Sequence, residues 1–300
     1  MQIQTNRNQR ELKNHGDISF PILVSYESIT AYELNTFSWH WHPEIELTLI
    51  NEGEMMYQIN GQEMHVKKGD LLFSNCNALH SGHSIDGKIC NYWSITFDSK
   101  LIYGFENSLI QTKYVDAVVS AKEFSSLLFD GSESWHHDLK ELVCELISLS
   151  SDKSDFYEIK IQMQLTKIWL MLLEHRTSFS LNENALNPKT SARLKAILSF
   201  IHENFEKKIS LDDIADSVHL CKSECCRFFK KHMQESLFDY LIRYRIEQSI
   251  PYLKNPDYSI TETALYCGFT DAGYYSRMFK RYTGTSPREY RMNLFPDYNR

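Results

Sequence analysis

Short stretches of alternating apolar and polar residues occupy the region from residue 18 to residue 97, and this alternation is typical of β-strands. Turn sequences separate the stretches. The clearest is Asn60-Gly61, which lies between two alternating runs and is a strong hairpin signal. Short strands with regular turns predict a small antiparallel barrel or sandwich. We expect residues 1–130 to form an antiparallel β-barrel domain.

Two helices with apolar faces are predicted to follow, over residues 131–177. Their apolar residues recur at intervals of three and four, at Leu139, Leu142, Val143, Leu146 and Ile147, and then at Ile161, Leu165, Ile168 and Leu172. This helical pair could pack on the barrel or form a dimer interface. The polar stretch at 178–190, rich in Ser and Asn, is predicted to be a linker.

One helical pattern occurs twice in the remaining residues, 191–300. Each copy begins at a capping-box spacing, Ser210 with Asp213 and Ser259 with Glu262, and a basic helix follows. A long helix predicted from Leu237 to Leu253 separates the copies. Five residues recur at an offset of 50: Arg227, Phe229, Lys230, Ser236 and Tyr240 reappear as Arg277, Phe279, Lys280, Ser286 and Tyr290.

This repeat predicts an all-α domain with two helix-turn-helix units in tandem, a design that places two reading helices on one DNA duplex. The fold class expected for the chain is therefore α+β multidomain, with a β-barrel, a helical pair and a tandem helix-turn-helix.

Charge divides along the chain in the same way. Residues 1–188 hold 14 Lys+Arg and 25 Asp+Glu, a net of −11, whereas residues 189–300 hold 18 and 14, a net of +4. A basic C-terminal half favours DNA binding, because neutralised phosphates supply most non-specific affinity. The seven irregularly spaced cysteines, the polar N-terminus and the lack of a long apolar run predict a cytoplasmic protein with reduced thiols and no membrane partner.

The second helix of each repeat supplies the candidate DNA contacts. Phe229 and Phe279 are expected to point inward, while Arg227 and Arg277, two positions earlier, point outward. An arginine there can bind a guanine edge through two hydrogen bonds, or can contact only phosphate. The basic residues beside them are better placed for phosphates: Lys222, Lys230, Lys231, Lys280 and Arg281.

The last hundred residues resemble the AraC/XylS family of bacterial transcription regulators. The segments that carry the resemblance are Gly268-Phe269-Thr270-Asp271, Tyr274-Tyr275-Ser276-Arg277-Met278-Phe279-Lys280-Arg281-Tyr282-Thr283-Gly284, Ser286-Pro287 and Glu289-Tyr290-Arg291. The resemblance implies two helix-turn-helix subdomains joined by a long helix, with both reading helices in successive major grooves. It also implies base contacts from Ser223, Cys226 and Arg227 and from Ala272, Gly273 and Arg277.

The N-terminal domain contains a second motif, His40-Trp41-His42-Pro43-Glu44-Ile45-Glu46 followed by Gly53. It is similar to the first cupin motif, and His80 lies where the second cupin motif has its histidine. Side chains alternate along a strand, so His40, His42 and Glu46 share one side. With His80 they could hold a divalent ion such as Zn, Fe, Mn or Ni.

AraC-type sensor domains resemble cupins but generally bind small effectors, often sugars, without a metal. In that case the same four residues would contact the effector, and Trp41, Tyr57 and Trp93 could stack on a sugar ring. A third interpretation gives the histidines a purely structural role. We rank the effector site first and the metal site second, and no cofactor is required by the first interpretation.

The leading functional hypothesis is a ligand-responsive, sequence-specific transcription regulator of carbohydrate-related genes, and not an enzyme. Its expected partners are double-stranded promoter DNA, a small effector such as a sugar, a second copy in a homodimer, and RNA polymerase if it is an activator. One alternative is a metal-dependent cupin enzyme with an appended DNA-binding module. Another is a DNA-compacting protein that binds without sequence preference.

Overall fold

The computed structural model describes residues 2–121, 125–175 and 188–295. These residues form two compact units, the first largely within Arg10–Lys189 and the second within Thr190–Arg300. The helical pair thus belongs to the same unit as the strands. Within the described ranges, no helix is long and apolar enough to cross a membrane.

Eight antiparallel strands form two sheets that share one long strand, β3. The first sheet has the order β1-β7-β3-β5-β8, and in the second β3 pairs with β4 and β6 while β6 pairs with β2. The bounds are β1 (Ile22–Ser28), β2 (Thr36–His40), β3 (Ile45–Ile59), β4 (Gln62–Lys67), β5 (Leu71–Ser74), β6 (His80–Ser84), β7 (Cys90–Phe97) and β8 (Ser126–Phe129).

A break in the middle of β3 lets this strand belong to both sheets. Its pairing with β7 shifts register between Ile50 and Glu52, and Gly53 follows with φ of +75°. A Cβ on Gly53 would lie 2.0 Å from the backbone oxygen of Ile89, so only glycine fits there.

The antiparallel fold and the Asn60-Gly61 hairpin, which joins β3 to β4 with positive φ at both residues, are confirmed. The predicted barrel is not closed. The pairings among the described strands leave β1 and β8 at the edges of the first sheet. The bend in β3 brings the two sheets face to face without joining their outer strands.

The outer face of the first sheet carries the larger core. Leu47, Phe73 and Ile95 pack there against Leu139 and Leu165 of the helical pair. These helices are α3 (Trp135–Asp152) and α4 (Tyr157–Glu174), and short turns precede them at α1 (Lys100–Tyr103) and α2 (Asp116–Val119). The predicted apolar faces of the pair therefore cover the sheet, which leaves only the opposite faces for contact with a partner.

The inner faces of the two sheets enclose a second core and a group of polar residues. Phe37, Ile59 and Leu72 belong to this apolar core. On β3 and β7, the residues that alternate with those of the outer core point to the inner face. Glu46 and Thr96 are two of them, and both are buried although they are polar. Buried polar groups at this density mark the inner face as the place to look for a binding site.

Seven helices lie in the described part of the second unit, residues 188–295. They are α5 (Pro188–Asn204), α6 (Leu211–Asp216), α7 (Lys222–Met233), α8 (Leu237–Leu253), α9 (Ile260–Tyr266), α10 (Ala272–Thr283) and α11 (Pro287–Leu294). The predicted linker at 178–190 ends earlier than expected, because residues 188–190 already form the first turn of α5. The helix begins at Pro188, a position where proline is favoured. Residues 178–187 lie outside the described ranges.

Both predicted capping boxes are present. The Ser210 hydroxyl accepts a hydrogen bond from the Asp213 N–H at 3.1 Å, and the Ser259 hydroxyl accepts one from the Glu262 N–H at the same distance. Ser236 and Ser286 cap α8 and α11 in the same way. Each cap satisfies an N–H that the first turn of a helix leaves free, which fixes where the helix begins.

The turns between the helices of each repeat use left-handed backbone at matching positions, His219 with φ of +55° and Gly268 with φ of +77°. The second turn leaves no room for a side chain. A Cβ on Gly268 would lie 2.1 Å from the Phe205 carbonyl oxygen and 2.9 Å from the Arg245 guanidinium, which itself donates to that carbonyl.

We expect Gly268→Ala to lower the free energy of unfolding of the second unit by about 2 kcal/mol or more, since it adds a backbone clash to an unfavourable φ. Gly284→Ala is the matched control, because Gly284 has φ of +80° with no atom within 4 Å of the added Cβ. It should cost only about 1 kcal/mol. Urea unfolding followed by helical circular dichroism measures both, and equal losses would contradict the steric argument.

Candidate nucleic-acid interface and sensor cavity

The reading helices α7 and α10 are equivalent elements. Each has 12 residues, and they begin 50 positions apart. Cys225 and Phe229 face the core from α7 as Tyr275 and Phe279 do from α10, and a left-handed residue ends each helix. The two helices therefore pack on the core through equivalent faces, and their equivalent outer faces do not contact the core.

Most predicted DNA contacts lie on that outer face. The exposed ones are Lys222, Ser223, Arg227, Lys230 and Lys231 on α7, and Gly273, Arg277, Lys280 and Arg281 on α10; Cys226 and Ala272 are half-buried. Both phenylalanines point inward, as the offset repeat predicts. One cation is already paired, since Lys222 Nζ lies 3.0 Å from the Asp212 carboxylate.

The environment of Arg277 suits a base contact. Its guanidinium lies over the Tyr274 ring at 5.9 Å, next to Gly273, which has no side chain to cover the start of the helix. The Asp271 carboxylate accepts a hydrogen bond from the Tyr274 N–H and caps α10. The first half of α10 therefore presents one long cationic side chain, Arg277, beside small residues.

The four residues of the cupin-like motif converge between the two sheets. His40, His42, Glu46 and His80 are all buried, the most exposed being Glu46 at 7%. Glu46 Oε2 lies 3.1 Å from His42 Nε2 and 3.6 Å from His80 Nε2. The ring nitrogens of the three histidines lie within 4.8 Å of one another. β2, β3 and β6 supply these side chains, with His42 just after β2.

Backbone carbonyls orient every one of these imidazoles. The Nδ1 atoms of His40 and His80 lie 2.9 Å from the Ser38 and Ala78 oxygens, and that of His42 lies 3.2 Å from the Glu44 oxygen. A carbonyl only accepts, so each Nδ1 carries a proton and Nε2 faces the centre of the cluster, where His42 Nε2 lies within hydrogen-bond distance of Glu46 Oε2.

Burial shapes the protonation of the cluster. It lowers the pKa of His40 well below the ordinary value, and the nearby His80 and His42 lower it further. Burial alone would raise the pKa of Glu46, but the hydrogen bond with His42 and the nearby His80 hold that pKa well below its usual range. Glu46 is thus a carboxylate and His40 a neutral imidazole at neutral pH.

A cavity opens beside the cluster. Its lining includes His40, Glu46, Tyr57 and His80, together with Tyr92 and Thr96 of β7. His80 Nε2 and Tyr57 Oη are buried and have no hydrogen-bond partner among the described residues. A buried polar atom without a hydrogen-bond partner destabilises the fold. A ligand that enters the cavity and forms hydrogen bonds with these two atoms would therefore bind favourably.

The lining does not include His42, Trp41 or Trp93 from the predicted effector site. Trp93 lies on β7 between the inward-facing Tyr92 and Ser94, so alternation places it on the other side, where its ring contacts Tyr26. Trp41 is half-buried, and its backbone oxygen accepts a hydrogen bond from the Glu11 N–H.

The sequence analysis missed the N-terminal segment, residues 10–15, which lies against the site. His15 Nε2 lies 3.2 Å from Glu11, and Nδ1 lies 3.3 Å from Glu44. Burial lowers the pKa of His15, but the two carboxylates outweigh it and raise the pKa to about 9. The segment is polar and without periodicity, and only the Glu11–His15 spacing of four could have suggested that the two interact.

The cluster fits a metal ion in its donor set. Three imidazole nitrogens and a carboxylate are common ligands of first-row divalent ions. The Nδ1–carbonyl contacts are the outer-shell bonds that metal-binding histidines make, and they leave each Nε2 free to coordinate. His80 Nε2, buried and unpartnered, is the atom that most needs such a neighbour.

Comparison with known proteins identifies both units. Residues 27–168 match the family described as an AraC-like ligand binding domain, and residues 214–293 match a helix-turn-helix domain family. The uncharacterized HTH-type transcriptional regulator YdeC of Bacillus subtilis is 30% identical over 287 residues, which are 95% of this chain and 97% of that protein. The chain belongs to the AraC family of transcription regulators.

Two further AraC relatives are described by more specific names. The melibiose operon regulatory protein of Escherichia coli is 23% identical over 84% of this chain and 82% of its own length. The transcriptional activator RhaS of Escherichia fergusonii is 26% identical over 85% and 87%. This member of the AraC family is thus a transcription regulator with a ligand-binding unit and a helix-turn-helix DNA-binding unit.

Arg277→Ala should weaken binding to a selected operator by about 1–3 kcal/mol and relax the preference at one base pair, because it removes a base contact. Lys280→Ala should weaken binding to all sequences and lower the salt slope by about one, because it removes a phosphate contact. Titrations on operator and random DNA at several salt concentrations measure both. Equal losses on the two DNAs for both variants would overturn these assignments.

Proposed function

We propose that this AraC protein is a cytoplasmic homodimer that regulates carbohydrate-related genes when a sugar binds in the cavity between its sheets. The observation that carries the proposal is the cavity itself, a buried polar site whose unpartnered atoms include His80 Nε2 and Tyr57 Oη. Sugar binding must favour one arrangement of the protein over another if it is to change DNA binding.

The chemistry of the lining suits a polyhydroxyl ligand. Neutral nitrogen and carboxylate oxygen accept hydrogen bonds from sugar hydroxyls, and a tyrosine hydroxyl can donate or accept. Glu46, His80 and Tyr57 offer these groups side by side. The relative named for the melibiose operon adds support from a protein of similar length.

The Tyr57 hydroxyl offers a sharp test, because its removal changes one atom. A panel of mono- and disaccharides is first screened for a sugar that raises the melting temperature of the wild type. Tyr57→Phe should bind that sugar about tenfold more weakly, since one hydrogen bond is lost. Without sugar the variant should be as stable as wild type or more so, because the hydroxyl has no partner to lose.

Tyr275→Phe is the matched control. Its hydroxyl donates to the Ser249 hydroxyl at 3.0 Å in the second unit, so this variant should lose about 1 kcal/mol of stability and keep the full sugar response. An unchanged sugar affinity in Tyr57→Phe would show that the Tyr57 hydroxyl does not contact the sugar. A panel in which no sugar stabilises the protein would refute a carbohydrate effector.

We propose the exposed side of α4 as the homodimer interface. Ile159, Met163 and Leu170 are 57%, 58% and 54% exposed and line up along one stripe of the helix, with Phe156 just before it. The opposite side of α4 is buried on the sheet. An apolar stripe on a helix already fixed by its other face is suited to pairing with the same stripe of a second copy.

Met163→Glu should convert the homodimer to a monomer, because it places a charge in the middle of the stripe. Size-exclusion chromatography with light scattering gives the mass directly. Leu109→Glu changes an equally apolar residue that is 70% exposed and does not belong to α4, and it should leave the dimer intact. A dimeric Met163→Glu, or a monomeric wild type, would rule out this interface.

We favour regulation without catalysis over the cupin enzyme, because the relatives over most of the chain are transcription regulators. Promoter DNA is the proposed macromolecular partner, with RNA polymerase a further one if the protein is an activator. DNA compaction without sequence preference would give equal affinity for operator and random DNA, so the titrations above also test that alternative.

A further inference from the structure

We propose that the ligand of the sensor cavity carries a primary ammonium group, which binds Glu46 and the Nε2 atoms of His40 and His80. The sugar of the proposed function is then an amino sugar. The sugar ring rests on the proposed function, whereas the ammonium group rests on the charge, the hydrogen-bond acceptors and the aromatic rings of the cavity lining.

The side of the cavity formed by the histidine cluster presents hydrogen-bond acceptors. The Nδ1 atoms of His40 and His80 donate to backbone oxygens at 2.9 Å, so Nε2 of each neutral ring is an acceptor. His80 Nε2 and Tyr57 Oη are buried and have no hydrogen-bond partner among the described residues. A primary ammonium group donates three hydrogen bonds and accepts none, whereas a sugar hydroxyl donates only one. The ammonium group therefore matches this set of acceptors better than a hydroxyl does.

Glu46 gives the same side of the cavity a negative charge. Its side chain is buried, and within the described residues its ion pairs are with the imidazoles of His42 and His80 alone. The other two carboxylates of the lining are already paired, Glu27 with Lys13 at 3.4 Å and Glu11 with His15 at 3.2 Å. Glu46 is therefore the carboxylate to which a cationic ligand would bind, through a charge-assisted hydrogen bond.

The spacing of the acceptors suits an ammonium nitrogen. Acceptors that surround such a nitrogen at about 2.9 Å, in tetrahedral directions, lie roughly 4.7 Å from one another. One ring nitrogen from each of His40, His42 and His80 lies within 4.8 Å of the other two. Glu46 Oε2 lies 3.6 Å from His80 Nε2. Small side-chain rotations therefore suffice to place the group between the carboxylate and the imidazoles.

Aromatic rings on the lining favour a positive charge as well. Tyr32, Phe37, Tyr57 and Tyr92 all line the cavity and are buried. The Phe37 ring lies 5.7 Å from Tyr32, 5.6 Å from Tyr57 and 6.4 Å from Tyr92, measured between ring centroids. The face of an aromatic ring attracts a cation within about 6 Å of its centroid. Four rings beside a carboxylate thus form a cavity that is suited to a cationic ligand.

The two sets of groups together select a primary ammonium group. A quaternary ammonium group would satisfy the aromatic rings and Glu46, but it has no N–H for His80 Nε2 and Tyr57 Oη. A hydroxyl would supply a donor to one of these atoms and no charge to Glu46.

Matched pairs of sugars test the ammonium group on the unchanged protein. Glucosamine and galactosamine carry an ammonium group where glucose and galactose carry a hydroxyl, and the N-acetyl sugars keep the nitrogen without its charge. The full-length protein is titrated with each by calorimetry, in a metal chelator and at about pH 7, where such an amine is largely protonated. In at least one pair the amino sugar should bind at least tenfold more tightly than both neutral forms, because it adds a charge-assisted hydrogen bond.

Glu46→Gln tests which residue binds the ammonium group. The variant keeps the size of the side chain and removes its charge, so the amino sugar should lose its advantage over the neutral sugar. Glu63→Gln is the matched control, because Glu63 is exposed on β4 and its carboxylate accepts a hydrogen bond from the Gln58 amide at 2.7 Å. The control should keep the full preference for the amino sugar. DNA binding and the melting temperature show whether each variant is folded.

The panel also separates the ammonium group from the carbohydrate. Neutral sugars that bind as tightly as their amino counterparts would overturn the ammonium site and leave the proposed function intact. Binding of 2-aminocyclohexanol without binding of any sugar would support the ammonium site and refute a carbohydrate effector.

Three other results would overturn the ammonium site. The first is that no amine binds, and the second is an unchanged preference for the amino sugar in a folded Glu46→Gln. The third is an affinity for amino sugars that appears only after a metal ion is added.

Discussion

The burial of α8 is the constraint on which the DNA-binding unit depends. This helix lies between the two repeats. Hydrogen bonds tie α5, α10 and α11 to it, and α7 packs on it through the Phe229 ring, 5.4 Å from the Tyr240 ring. The pairs are His202 with Tyr240, Arg245 with the Phe205 oxygen, Tyr275 with Ser249, Tyr282 with the Asp239 oxygen and Arg291 with the Leu253 oxygen. Buried polar ties of this kind specify one arrangement, so the separation of α7 and α10 is fixed by the fold.

The sensor unit solves a different physical problem, that of burying polar groups without losing the fold. Its apolar side chains are buried in two cores, one beneath the helical pair and one between the sheets. This leaves the inner face free to hold histidines and a carboxylate that contribute little to packing. Backbone carbonyls fix the direction of each imidazole. The buried polar atoms that still lack a hydrogen-bond partner gain one only when a ligand enters the cavity.

The sequence predicted most where local rules decide the structure. Capping boxes, the Asn60-Gly61 turn and the apolar helix faces were all found where expected, because each depends on residues close together in the chain. The open sheet and the place of Glu11 were not predictable in this way. The first depends on a bend at Gly53 that alternation does not reveal. The second depends on the contact of a polar segment with Trp41, which follows β2 and is 30 positions away from Glu11 in the chain. Trp93 shows the same limit, since its face depends on strand register.

We expect one chain to read two adjacent major grooves through α7 and α10. Methylation protection of guanine N7 on a selected operator measures this most directly, with Arg227→Ala and Arg277→Ala compared with wild type. The wild type should protect two segments on one face of the duplex, about one helical turn apart for each bound chain, and each variant should lose one of them. A single protected groove per chain, or loss of the same segment in both variants, would contradict this expectation.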